Sequence, residues 1–166
     1  MQIRIHAEVT APIDKVWEVL GEGFGHFDQW STALTSSKLS GELRAGAIRT
    51  CHAQKVGPFP PAIVKERLVD FNRQQKRYTY IVESGLPSIF KKAQNTWTVE
   101  AIDEKNSIIR SHVVAELVFW LRPFNWLFTL LFKRDIKKFF EEMIYFIEHE
   151  KIHPRKEESL LQPNKS

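Results

Sequence analysis

The chain has 166 residues, 43% of them hydrophobic and 27% charged, which suits one globular domain and excludes a disordered or fibrous protein. Twenty-four Lys and Arg against twenty Asp and Glu leave a formal net charge of +4 without any long like-charged block, so a nucleic-acid partner is not expected. The lone cysteine, Cys51, cannot form an intrachain disulfide and fits a reducing cytoplasm.

Residues 3–9 alternate Ile3, Ile5, Ala7 and Val9 with Arg4, His6 and Glu8, the pattern of a half-buried strand. The same charges interrupt any apolar run, so no signal peptide is expected. Thr10, Ala11 and Pro12 supply a helix start, and Ile13, Val16, Trp17 and Leu20 form one apolar stripe that ends at Gly21. Gly21, Gly23 and Gly25 follow a helix instead of a strand and lack the spacing of a phosphate loop. This stretch reads as a short helical turn ending at Trp30. Strands are predicted at 46–53, 63–71, 77–84, 93–102 and 107–116, with breaks too short for parallel crossovers. Residues 123–150 read as one long helix with the stripe Phe132, Ile136, Phe139, Phe140, Met143 and Ile147, and Pro154 is expected to stop it. Residues 151–166 are expected to form a flexible tail.

The predicted fold is therefore α+β: a curved antiparallel sheet wrapped around a long C-terminal helix, with two short helices after the first strand. The helix is the natural cover for the sheet's concave apolar face.

The order of elements resembles the START-like, or SRPBCC, superfamily with its helix-grip fold, in particular the bacterial polyketide cyclase/dehydrase and lipid-transport branch. The resemblance covers roughly residues 2–150. It rests on the opening AEVTAPIDKVWEVLGE…FDQW, on Gly46-Ala47-Ile48-Arg49, and on Val64-Lys65-Glu66-Arg67-Leu68. Arg77-Tyr78-Thr79-Tyr80, Gly85-Leu86-Pro87 and Leu121-Arg122-Pro123 complete it. It implies a single domain over 1–150 that binds a hydrophobic or amphipathic small molecule or lipid between sheet and helix, without a cofactor.

Strand parity matched to the family pattern turns Arg49, Glu66, Tyr78, Tyr80, Asn95 and Trp97 inward, with Arg110, His112 and Glu116 on the last strand. On that strand, Ile109, Val113 and Leu117 would serve equally well as the buried set, and a one-residue slip exchanges the two. Phe132, Ile136, Phe139 and Met143 would face them from the helix. Arg49, Glu66, Arg110 and Glu116 could equally form compensating ion pairs. Segments 58–61 and 85–90 are expected to frame the mouth, and a ligand cavity above about 300 Å³ is expected.

Two other classes of function stay open. His112, oriented by Glu66 or Glu116, could act as acid–base catalyst in a cyclase or dehydratase. The Leu117–Lys138 stretch sets surplus aromatics beside Lys133, Arg134, Lys137 and Lys138, a composition suited to peripheral contact with an anionic membrane. The favoured account packs these aromatics internally or against a second subunit as a homodimer. The most apolar run, 117–132, is shorter than the roughly 20 residues that a spanning helix needs. His149-Glu150-Lys151-Ile152-His153 matches a zinc-protease motif in letters, but Pro154 disfavours helical geometry at His153, so no metal is expected.

Overall fold

The computed structural model of the protein describes residues 1–161. Seven strands form one antiparallel sheet: β1 (Gln2–Val9), β2 (Leu34–Ser40), β3 (Ile48–Ala53), β4 (Ala62–Asn72), β5 (Arg77–Ser84), β6 (Phe90–Ala101) and β7 (Ser107–Leu117). Their spatial order is β1-β7-β6-β5-β4-β3-β2. Strands β2 to β7 are thus a meander, and β1 returns to pair with β7. Register shifts in β2, β4 and β6 mark bulges, which bend strands and increase their twist.

The connection from β1 to β2, the sheet's two edges, contains α1 (Ile13–Leu20) and a 3-10 segment, Glu22–Gln29. Pro12 presets the first helical turn, and Val16, Trp17 and Leu20 are buried on one face. The 3-10 segment drives Phe24 and Phe27 into the interior, with Trp30 just beyond it. Trp30 and Phe139 rings meet at 4.9 Å, and Phe24 and Tyr78 at 5.4 Å, so this connection fills one end of the sheet's concave face.

Helix α2 (Asn125–His149) lies across that face, and a 3-10 turn, Phe119–Phe124, leads into it around Pro123. Phe140, Met143 and Ile147 in its C-terminal half are buried against the sheet. The helix ends where Glu150 adopts φ 56°, a left-handed cap whose N–H bonds to Phe146 O at 2.9 Å. His149 and His153 are consequently not on successive turns of one helix; both rings pack on Tyr145 instead.

Two elements depart from expectation. Strand β2 is a seventh strand within a Ser- and Thr-rich run whose apolar anchors are only Leu34 and Leu39. The tail assigned to 151–166 is replaced, over its described part, by a third helix, α3 (Pro154–Leu161). Pro154 starts this helix as well as ending the previous segment, because the first helical position has no intrahelical use for an N–H. Lys156 docks α3 by donating to Ser31 O at 2.8 Å and to Leu34 O at 3.2 Å. Residues 162–166 lie outside the described set.

Candidate functional site

An apolar cavity of about 220 Å³ opens at the end of the sheet where β4 and β6 begin and β7 ends. Ile3, Ala53, Ala62, Val64, Ala93, Val113 and Ala115 form its sheet wall, and Phe132 and Ile136 of α2 form the opposite wall. Phe59, Pro60, Gly85, Leu86, Pro87 and Phe90 frame its opening, so both expected mouth segments contribute. Gln54 supplies the one polar side-chain group in this lining.

The mouth is held by packed rings. Phe59 stacks on Phe132 at 5.9 Å, and Phe90 meets Phe132 edge-on at 5.7 Å. The loop carrying Phe59 is tied to α2 where Gly57 N–H donates to Asp135 Oδ2 at 2.9 Å. Gly85 turns the opposite rim at φ 87°, and a Cβ there would lie 2.1 Å from Ile63 O. Only glycine satisfies both demands.

The cavity is smaller than the roughly 300 Å³ expected for enclosing a whole small molecule. The reason lies one strand step deeper, where Trp97, Tyr78, Tyr80 and Phe139 close-pack with the rings of the β1–β2 connection. Trp97 stacks on Phe140 at 5.3 Å, and Met143 is completely buried. Of the residues assigned to the site, only Phe132 and Ile136 line the cavity. Tyr78, Tyr80, Trp97, Phe139 and Met143 belong to the core beneath it.

Arg49, Glu66 and Asn95 do face inward and form a buried polar layer. Arg49 Nε donates to Glu66 Oε2 at 2.7 Å, and its Nη1 donates to Phe24 O at 2.7 Å. The guanidinium lies 3.9 Å from the centre of the Phe24 ring. Burial is the largest influence and opposes the charge on Arg49, but Glu66, together with the smaller contributions of Cys51, Tyr80 and Tyr78, holds the pKa above its ordinary value. Ser111 Oγ donates to Asn95 Oδ1 at 2.9 Å. These partners make the layer a satisfied ion-pair and hydrogen-bond set beneath the cavity.

Burial also pushes the Cys51 thiol up to about 11. At neutral pH this leaves a thiolate fraction roughly a hundredfold below that of an exposed cysteine. Ellman's reagent is therefore expected to label the native protein only at the rate of unfolding. Rapid stoichiometric labelling would place Cys51 at the surface.

The last strand has the other parity. Ser107, Ile109, Ser111, Val113, Ala115 and Leu117 turn inward or are buried, and Arg110, His112 and Glu116 stand on the outer face. The placement of Arg110, His112 and Glu116 in the cavity is thus corrected. Buried serines look like surface residues in sequence, but Ser107 donates to Ala11 O at 2.8 Å and Ser111 bonds Asn95, so both hydroxyls are satisfied. Arg110 pairs with Glu100 at 3.2 Å, and Glu116 with Arg122 at 3.3 Å. His112 borders a separate outer groove with Arg4, His6 and Thr96, on the wrong side of the sheet to serve the cavity as a base. Among the described residues, no group of three or more His, Cys, Asp or Glu side chains is arranged to hold a metal.

A curved antiparallel sheet gripping a long helix, with an apolar cavity between them, defines a helix-grip protein of the START-like class. Within that class the chain belongs to the family described as polyketide cyclase/dehydrase and lipid transport, which matches residues 2–144. A START superfamily protein from Mycobacterium smegmatis superposes with a TM-score of 0.74 at 8% identity, covering 90% of this chain and 99% of that one. Norcoclaurine synthase from Thalictrum flavum, solved with dopamine and hydroxybenzaldehyde, gives 0.72 at 16% identity, with 92% and 89% covered. A protein from Thermus thermophilus gives 0.71 at 13%, with 89% and 97% covered. At these identities the likeness concerns the fold. A comparison with curated proteins found no match.

Proposed function

We propose that the protein binds a hydrophobic or amphipathic small molecule, burying its apolar part between the sheet and the first half of α2 and leaving a polar end at the mouth. The observation that carries this reading is the cavity's chemistry: walls of aliphatic and aromatic side chains, a single amide, and an aromatic rim. Such a lining favours burial of apolar surface and offers almost nothing to orient polar groups. The size of the cavity supports a chain or ring entering it in part. The family's description includes lipid transport, which suits a cargo of this kind. The lone buried Cys51 accords with work in a reducing cytoplasm.

Native mass spectrometry of freshly purified protein is expected to reveal a co-purifying apolar compound, and an environment-sensitive fluorescent fatty acid should bind and displace it. Ala93→Phe projects a ring into the cavity at an overpacking cost of about 1–3 kcal/mol, and should weaken probe binding at least tenfold. The folded state of the variant is checked by circular dichroism. Absence of both co-purifying compound and probe uptake in the wild type would end the proposal.

A further inference from the structure

The aromatic surplus preceding the core half of α2 is not packed inside. Phe119, Trp120 and Trp126 are 73%, 72% and 67% exposed, and Phe124, Leu130 and Leu131 are exposed beside them. Of the account favoured from sequence, packing internally or against a second subunit, the internal half is therefore corrected for these rings. Burial of such a patch in a monomer would require a second layer of structure, which the described residues do not place there.

The patch has a basic border. Lys133, Arg134 and Lys137 are exposed on the next turns of α2. Among the described residues, Lys133 and Arg134 form no ion pair, and Lys137 lies 4.0 Å from Glu141. The one acid within this run, Asp135, accepts the Gly57 N–H at the mouth loop. The patch also adjoins the cavity: Phe132 lines it, and Phe128 packs on the rim residue Phe90 at 6.3 Å. One helical segment thus presents apolar rings outward and a cavity wall inward.

We propose that this segment docks the protein on an anionic lipid bilayer, with the 3-10 turn and the start of α2 inserted at the headgroup level and the cavity mouth facing the membrane. Trp, Phe and Leu beside unpaired Lys and Arg match both components of such a surface, the acyl boundary and the negative headgroups. No described helix is long and apolar enough to cross a membrane, so the contact is peripheral. A second copy of the chain is a poorer occupant. In a two-fold pair the same patch meets itself, and it offers Lys133 and Arg134 no free counter-charge, because the acid of the run, Asp135, is engaged by Gly57. The docking deepens the proposed cargo binding, because a lipid could pass its apolar chain between bilayer and cavity without exposing it to water. It rests on that reading only for this transfer.

The test is co-sedimentation of the full chain with phosphatidylcholine vesicles, with and without about 30% phosphatidylglycerol. The wild type is expected to pellet with the anionic vesicles and to be released as salt rises toward about 0.5 M. Trp126→Glu combined with Leu130→Glu should lower the bound fraction about tenfold, and Lys133→Glu with Arg134→Glu should do so on anionic vesicles. These side chains are exposed, so unchanged melting and unchanged uptake of the fatty-acid probe are expected in both variants. Vesicle binding that persists when the wild type takes up no probe supports docking and removes only the transfer role. Wild type left in the supernatant, or patch variants that pellet like wild type, would overturn the docking. So would a wild-type dimer that Leu130→Glu dissolves while no vesicles are bound, which would assign the patch to a second copy.

Discussion

Replacing Glu66 by alanine is expected to cost about 3–5 kcal/mol, because it strands the Arg49 guanidinium, 3% exposed, without its counter-charge. Arg49 reaches the interior from β3 and Glu66 from the facing residue of β4, so one cross-strand pair neutralises both charges. The remaining partners of Arg49, the Phe24 carbonyl and the Phe24, Phe27 and Tyr80 rings, supply dipoles and π-faces but no full negative charge. At roughly 2–4 °C per kcal/mol for a chain of this size, the melting temperature should fall by about 6–20 °C. The double change Arg49→Met with Glu66→Leu removes both charges and should be far milder, since buried pairs often exchange with apolar residues at little cost. Urea unfolding of the three proteins decides the matter. A Glu66→Ala midpoint close to that of wild type would mean that Arg49 finds solvent or another acid.

The second large effect is expected at Glu142, a carboxylate of α2 buried against the turn that enters β2. It accepts the Thr32 N–H at 2.8 Å and the Thr32 hydroxyl at 2.7 Å, with Ser31 Oγ at 3.4 Å. Lys156 of α3 binds the carbonyls of Ser31 and Leu34 beside it, and burial lowers the pKa of that ammonium. Asp28 and Glu142 act in the opposite direction and help keep the ammonium charged. The turn entering β2 is thus clasped by two helices at once. Glu142→Ala leaves the Thr32 donors unpaired and takes a counter-charge from Lys156, for an expected loss of about 3 kcal/mol. Glu142→Gln retains an acceptor and should lose less. Thermal melts of both variants, together with hydrogen exchange at Thr32, measure the effect. Equal stability of Glu142→Ala and wild type would show that the clasp is not formed in solution.

The sequence singles out Glu66 but not Glu142, which is one acid among twenty. Alternation places Glu66 inward, because its neighbours Val64 and Leu68 on the same face are apolar. Helical periodicity puts Glu142 on the polar side of the stripe, although it is 1% exposed. Its burial comes from the β1–β2 connection folding over that side of α2, a contact 110 residues away in the chain. No local periodicity reports such a contact.

The same limit explains β7, β2 and α3. Both faces of β7 carry enough apolar residues to be the buried one, so alternation alone leaves two registers. Pairing with β1 and β6 selects between them: Ser111 inward finds Asn95, and Arg110 outward finds Glu100. Strand β2 owes its conformation to ladder bonds with β3, and α3 owes its place to Lys156 at a turn more than a hundred residues earlier.

Local chemistry in the sequence was sufficient to set the order of most elements, the meander and the long closing helix. Alternation, the 3.6-residue period, and Gly and Pro breaks act over a few residues and survive in any context. The family resemblance drew on that same order. Only the tertiary structure decided which polar residues are buried, where the cavity stops, and that the surplus aromatics remain outside. Those outcomes depend on how large rings from distant segments share one interior. Phe24, Phe27, Trp30, Tyr78, Trp97 and Phe139 fill its deep end together, which confines the cavity to the mouth, while Phe119, Trp120 and Trp126 stay outside.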